Sequence, residues 1–387
     1  MLINCYIFTI LISFSEMLNP QHDRDALKIV KFLASDIFHN KSAKLFLLIV
    51  ALIHGSVTLI QIYCTLANPD IKDFILKAPI FFGMFFPLTG VITLLLRPEL
   101  IDDVPQYMKN WSMENVDAKI HTWVQITRIY GVGTFILAFI CGLSYSQFLI
   151  NENQFFFFYQ FLDDFVPKYE FRIFCKIIYK ATFPVMFYAA VLHAIQTAYG
   201  TQHMKFQLIM LREKIEKIDC NEKHQKKIRQ KLIYCIRRHD SIITFGRNKM
   251  EQMSELIGIF LTIATLCFIS ILIFMFAGPF YKEYYVRLCL TCATAVAAFG
   301  SLLVFGQKLE DEIEQLATVT YNLKWYNFDV ENRKIYLLFL LNVMKTFQVK
   351  YLDFAINYRL GLSIVRTVYS VLSVMLKMDS KLYDKQN

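Results

Sequence analysis

The sequence predicts an all-α membrane protein with seven transmembrane helices, a cytoplasmic N-terminus and an extracellular C-terminus. Helices also project from the bilayer on the cytoplasmic side, and a short helix precedes the last span. Three observations predict this. Hydrophobic residues make up 56% of the 387 and charged residues 19%, where a soluble domain carries about 25% charge. Apolar stretches of about 20 residues, enough to cross roughly 30 Å of hydrocarbon, recur from one end of the chain to the other. Lysine and arginine crowd into alternate connections, which sets the orientation.

Residues 1–44 form an N-terminal cytoplasmic segment. Its first 15 residues are apolar but lack a basic start and a small-residue cleavage site. They read as a membrane-hugging start, or as an extension upstream of Met17. An amphipathic patch follows from Ala26 to Phe38. Residues 45–201 hold spans one to four. Span one, 45–66, carries His54 and ends in the turn formers Asn68, Pro69 and Asp70. Span two, 78–96, contains Pro87; a polar connection, 98–128, leads to span three, 129–150. A mixed segment with the aromatic run Phe155 to Tyr159 precedes span four, 181–201.

Residues 202–255 are polar, yet Phe206, Ile209 and Met210, then Ile228, Leu232, Cys235 and Ile236, recur at helical spacing. This is a helical extension into the cytoplasm. Spans five and six occupy 256–307, and 308–351 forms a second cytoplasmic region whose short apolar helix, 334–344, cannot cross a bilayer. Residues 352–387 hold the last span and an external tail. In that span Arg359, Ser363, Arg366, Ser370, Ser373 and Lys377 follow at gaps of 4, 3, 4, 3 and 4. They share one side of a helix, so the span has one wet face, because charge inside a membrane helix faces water or a partner.

The stretch between Lys205 and Lys249 carries 13 basic and five acidic residues, which puts it and the N-terminus in the cytoplasm. The sequons at Asn40 and Asn110 then lie on the unglycosylated side. The net charge of +9 reflects these loops and not a nucleic-acid partner. The nine cysteines form neither a disulfide framework nor a zinc pattern, and the pair Cys289 and Cys292 sits inside a span as small buried hydrophobes. Phosphate loops, HExxH and GxSxG are absent, so no enzyme and no cofactor is expected. The acidic cluster Glu310, Asp311, Glu312 and Glu314, just inside span six, reads as a solvated helix start.

Two stretches carry a resemblance. One runs from Cys235 through His239 to Phe245; the other is the ordered series Tyr321, Trp325-Tyr326, Arg333-Lys334 and Val368-Tyr369-Ser370. The chain resembles the insect odorant receptors, and its short connection after span four is similar to that of the odour-specific tuning subunits. The resemblance implies a ligand-gated, non-selective cation channel in the plasma membrane of olfactory sensory neurons. The chain would form a hetero-oligomer, a tetramer, with the odorant co-receptor, and the last span would line the pore. It places Tyr369, Leu372 and Leu376 near the constriction, beside Arg366, Ser370 and Ser373 from the polar stripe. Tyr321, Trp325 and Tyr326 would belong to a subunit anchor, and His239 is structural.

The resemblance places the odorant pocket in the outer half of spans two to six. The apolar and aromatic candidates there are Phe81, Met84 and Phe85; Cys141, Tyr145 and Phe148; Phe183, Met186, Phe187 and Ala190; and Tyr284 and Tyr285. They suit a volatile, hydrophobic ligand with at most one hydrogen-bonding group. A gustatory-type chemoreceptor channel is the alternative. A metabotropic receptor would need an external N-terminus, and a transporter would show internal repeats.

Overall fold

The computed structural model describes residues 27–67, 70–97, 100–104, 118–148, 155–218, 225–277, 282–345, 347–351 and 354–383. The expectations for residues 1–15, for the turn at Asn68 and Pro69 and for Asn110 lie outside them. In chain order the helices are α1 (Lys28–Ala34), α2 (Lys41–Ala67), α3 (Ile71–Leu96), α4 (Ala118–Ser146), α5 (Phe157–Phe165), α6 (Tyr169–Ala181) and α7 (Phe183–Glu216). Then follow α8 (Gln225–Ala277), α9 (Lys282–Tyr321), α10 (Val330–Val343) and α11 (Tyr358–Tyr383). A single antiparallel pair, β1 (Lys350–Tyr351) with β2 (Phe354–Ala355), breaks the helical pattern among the described residues.

Six described helical segments are long and apolar enough to cross a membrane: Lys41–Ala67, Asp73–Leu96, Ile120–Ser146, Tyr169–Glu216, Gln225–Met275 and Tyr284–Tyr321. The bundle is arranged around α7, which packs on α9, α4, α3 and α8. From Ala189 to Leu211 nearly every residue of α7 is buried, the mark of a core helix. The peripheral α2 instead turns Leu47, Val50, His54, Val57 and Gln61 inward and leaves Leu45, Leu48, Leu52, Leu59 and Leu66 exposed. Its apolar outer side needs lipid, not water. Where α4 crosses the start of α7, a Cβ on Gly142 would stand 2.5 Å from the Pro184 Cα, so the crossing requires glycine. Pro184 lies in the first turn of α7, where a missing N–H costs nothing.

The helices do not stop where the apolar runs stop. At 1.5 Å per residue, the 53 residues of α8 span about 80 Å and the 40 of α9 about 60 Å, well beyond the roughly 30 Å of hydrocarbon. The described part of 202–255 is helical, as its periodicity predicts. The polar connection 98–128 differs from its reading: α4 begins inside it, at Ala118. The mixed segment before span four holds two helices, α5 and α6.

At the end carrying α1, side chains of α7 close the last turn of that helix. Tyr188 Oη donates to Leu33 O (2.6 Å) and Gln196 Nε2 to Ala34 O (2.9 Å), satisfying carbonyls that a helix C-terminus leaves open. Lys31 Nζ pairs with Asp36 (2.5 Å) and Asp102 (3.2 Å), and His39 Nε2 meets Asp102 at 2.7 Å. The α8–α10 junction is stitched through Gln225. Its side chain donates to Asn327 O (2.9 Å) and accepts from the backbone N of Asp329 (3.0 Å) and from Asn332 Nδ2 (2.8 Å). Asp329 caps α10 by accepting from Asn332 N at 2.7 Å.

Candidate ligand site and pore helix

The predicted ligand residues fall into three aromatic groups. In the first, Tyr145 of α4 stacks on Phe187 (centroids 5.0 Å apart) and Phe183 (5.8 Å) of α7. Cys141, Met186 and Ala190 are buried in the same bundle interior. In the second, Phe81 of α3 meets Phe85 (5.2 Å), Phe82 (5.3 Å) and Phe74 (5.9 Å) edge-on, with Met84 buried on the same helix. In the third, Tyr284 lies against Phe274 (5.3 Å) of α8, and Tyr285 Oη donates to Met275 O (3.3 Å). Phe148 stands apart: it is exposed, with the Lys180 ammonium 4.1 Å from its centroid.

Three consecutive phenylalanines join the groups. Phe155 stacks on Tyr284 at 4.1 Å, Phe156 meets Phe183 at 6.2 Å and Phe157 meets Phe81 at 6.4 Å. All three are buried. The sequence shows this run plainly, but no periodicity marks it as a hub, because neighbouring residues point to different partners. Phe274 and Thr291 also contact these groups, and neither is marked by helical spacing with the other candidates; Tyr179 borders them. Tyr179 sits 5.0 Å from Phe183. Thr291 Oγ1 donates to Arg287 O (2.9 Å), so Tyr145 Oη, 3.2 Å away, is the donor to Thr291.

These bonds define the polar capacity of the group. The Tyr145 hydrogen is engaged, and its phenolic oxygen keeps acceptor capacity. Buried cations rim the group: Lys77 bonds Asp73 (2.7 Å) and Gln160 (2.5 Å) with its ammonium 4.5 Å from the Phe157 centroid. Arg287 donates to Gln147 O (2.7 Å), its guanidinium 5.4 Å from the Tyr145 centroid. Lys180 donates to the same carbonyl. A cavity of about 520 Å³ lies elsewhere, between α8 and α10, lined by residues such as Ile243, Arg247, Phe339 and Lys350.

The last helix, α11, is held mainly at its start. Asn357 Oδ1 accepts from the backbone N of Arg359 at 3.0 Å. Glu310 of α9 accepts from Gln348 Nε2 (2.5 Å) and Asn357 Nδ2 (3.1 Å), so it clamps both ends of the β1–β2 hairpin. A Cβ on Gly306 would stand 2.0 Å from Ile356 O, so glycine permits this approach. Glu312 is buried and pairs with Arg212 (3.2 Å). Glu310 and Glu312 therefore tie elements together where the sequence reads as solvated, whereas Asp311 pairs within its own helix and Glu314 is exposed. Beyond its first turn most described side chains of α11 are uncovered: Arg366, Tyr369 and Ser370 are exposed and Ser373 is half-buried, while Val368 is buried. The side chains of Leu372 and Leu376 are outside the described ones.

In the cytoplasmic region of the sequence reading, Arg333 donates to Tyr326 O (2.7 Å) and Phe328 O (2.7 Å), bracing the turn that carries Trp325 and Tyr326. Trp325, Tyr326 and Tyr321 are exposed. Cys235, His239, Ile242 and Phe245 form the buried face of α8, and His239 meets Phe339 of α10 at 6.1 Å. That motif is packing, as read for His239.

Fold and site together define a multi-pass, all-helical membrane protein with a buried aromatic hub. The chain belongs to the 7tm Odorant receptor family, whose model matches residues 99–369. Its fold is similar to that of the insect olfactory receptor OR5 from Machilis hrabei, with a TM-score of 0.70 at 10% identity over 88% of this chain and 90% of that one. The structure of that receptor in complex with eugenol is similar to the same degree, with a TM-score of 0.70 at 11% identity and the same coverage. None of the curated proteins matches the sequence.

Proposed function

We propose that this chain is the odour-binding subunit of a ligand-gated, non-selective cation channel assembled with the odorant co-receptor as a tetramer. The aromatic hub joined by Phe155, Phe156 and Phe157 carries this reading. It offers apolar surface and one hydrogen-bonding pair, Tyr145 and Thr291, which suits a small volatile molecule. The complex of the Machilis receptor with eugenol is a ligand of that kind on a similar fold. The chain crosses the membrane seven times, α11 being the seventh span, with its N-terminus in the cytoplasm and its C-terminus outside. The exposure of Arg366, Tyr369 and Ser370 on α11 supports a pore-lining role for them, and the proposal extends it to Leu372, Ser373 and Leu376 along the same helix. The plasma membrane of an olfactory neuron is its place of work.

The test is whole-cell recording from cells expressing the chain with and without an insect co-receptor, against volatile esters, terpenes and alcohols. Odour-evoked cation current that requires both subunits is the expected result. Current from the chain alone would make it a homomeric channel. Silence despite surface expression would sink the odorant reading and favour a gustatory-type ligand.

A further inference from the structure

Span one carries a polar stripe that the aromatic hub does not use. His54, Thr58, Gln61 and Thr65 follow at gaps of 4, 3 and 4 on α2, so they share one helix face. That face points inward: His54 and Gln61 are each 1% exposed and Thr58 is 5% exposed. Thr58 and Thr65 hydroxyls return to backbone carbonyls one turn back, His54 O and Gln61 O. The other two side chains have nowhere comparable to go. Among the described residues, His54 Nδ1 and both amide atoms of Gln61 are buried with no hydrogen-bonding partner. The hydroxyl of Tyr179 is in the same position, and its ring lies 4.9 Å from the His54 imidazole. Most buried polar side-chain atoms in folded proteins are paired, so His54 Nδ1 and Tyr179 Oη, on adjacent rings, call for a partner.

The tautomer of His54 follows from its neighbour. Thr182 Oγ1 donates its one hydrogen to Tyr179 O at 2.7 Å. It therefore accepts from His54 Nε2, 2.7 Å away. Nε2 carries the proton, and Nδ1 presents a bare lone pair. The seam thus offers an acceptor at Nδ1 and a donor at Tyr179 Oη, with the donor and acceptor of Gln61 two turns along α2. A carbonyl ligand would satisfy Tyr179 and leave Nδ1 unmatched. A hydroxyl satisfies both, giving its hydrogen to Nδ1 and accepting from the phenol.

We infer that the junction of α2 with the α6–α7 bend is a second binding site, one that takes a hydroxyl group. Phe156, Phe158 and Phe183 also pack against Tyr179, so aromatic rings surround these polar atoms and a group that both donates and accepts is rewarded, a neutral hydroxyl suiting an apolar wall best. The hydroxyl comes from an alcohol or phenol, or from an internal water, which needs two to four polar partners of the sort found here. The site shares the rings of Phe156 and Phe183 with the hub, but its polar atoms lie on α2 and α6, whereas the Tyr145–Thr291 pair lies on α4 and α9.

The test uses the full chain purified in lipid nanodiscs, with its co-receptor if assembly requires it. Neither readout uses channel current, so the result is independent of the channel reading. One arm measures binding of matched probes, benzyl alcohol against benzyl methyl ether. The other examines high-resolution density beside His54 Nδ1 without any probe. Tyr179→Phe and Gln61→Met preserve packing volume and serve as variants; His54→Leu is the harsher third. A preference for the alcohol that falls about three- to tenfold in Tyr179→Phe assigns the hydroxyl to a ligand. No such preference, together with ordered density bonded to Nδ1 in the wild type and lost in Tyr179→Phe, assigns it to water and supports the site equally. Absence of that density, with an alcohol preference either missing or untouched by both variants, overturns the inference.

Discussion

At the scale of single residues, hydrogen-bond direction says more than proximity. Tyr145 gives its hydrogen to Thr291, whose own goes to Arg287 O, and its ring is stacked on Phe187 and Phe183. Tyr145→Phe keeps the stack and removes only the hydroxyl. The expected outcome is unchanged surface expression and an unchanged response to hydrocarbon odorants. The half-maximal concentration for odorants that donate a hydrogen bond should rise about three- to tenfold, the worth of one neutral hydrogen bond. Equal loss for both odorant classes would mean that the ring, and not the oxygen, is what matters. Lys31 allows a second prediction. Burial opposes its charge, but the carboxylates of Asp36 and Asp102 outweigh that and raise its pKa above the ordinary 10.5. A raised lysine contributes stability that is complete below the unfolded pKa and fades as pH climbs through the folded one. The melting difference between wild type and Lys31→Met should therefore stay constant through neutral pH and shrink only in strongly alkaline buffer. A difference that varies around neutrality would assign the effect to another group in the cluster.

At the scale of elements, the linkage between α9 and α11 is the feature with the clearest consequence. Gly306 lets the hairpin approach α9, and a Cβ there would meet a backbone carbonyl that cannot rotate away. Gly306→Ala should cost about 1–3 kcal/mol as an overpacked contact and move the start of α11 away from Glu310. Gly300 lies on the same helix with nothing within 4 Å of a built Cβ; Gly300→Ala is the control and should be neutral or mildly stabilising. Dose–response curves of the two variants, recorded with the co-receptor, decide the matter. A shift of about tenfold in Gly306→Ala alone is expected, and equal curves would mean the hairpin yields freely. Glu310 also shows where the sequence falls silent. Its partners, Gln348 and Asn357, are 38 and 47 residues away, so an acidic run in a helix reads as solvated until the hairpin is folded against it. The first six spans are legible because a bilayer demands about 20 apolar residues in a row. Their ends are not, because α4, α8 and α9 continue as amphipathic helices once they leave the apolar zone. That Phe81 and Phe85, and Phe183 and Phe187, lie on one side of their helices is legible from spacing, while the exposure of Phe148 is not. Phe155, Phe156 and Phe157 are not, because three adjacent side chains that reach three different helices obey no period.

At the scale of the whole molecule, apolar surface is left uncovered in a defined place. The helix α10 buries Asn332, Tyr336, Phe339 and Val343 at gaps of 4, 3 and 4 against its own subunit, and it leaves Leu337, Leu338, Leu341 and Met344 exposed on other sides. A helix that is apolar on more than one face is stable when it is covered on more than one face, and a contiguous exposed apolar patch marks an interaction surface. In the assembly proposed above, that cover comes from neighbouring subunits. The double variant Leu338→Glu, Leu341→Glu tests this without touching the inner face. It should fold and reach the membrane, because Phe339 and Tyr336 keep their partners in α8 and α9, yet its co-purification with the co-receptor should fall at least tenfold. Phe339→Ala is the contrasting change. It empties a fully buried site, costs about 3–5 kcal/mol, and should reduce the amount of folded protein before any effect on assembly can be read. If the double variant co-purifies as well as the wild type, α10 is not the contact surface. The burden of assembly then shifts to α11, where Leu362, Val365 and Tyr369 are more than half exposed and the same pair of measurements, made with Leu362→Glu, would locate it.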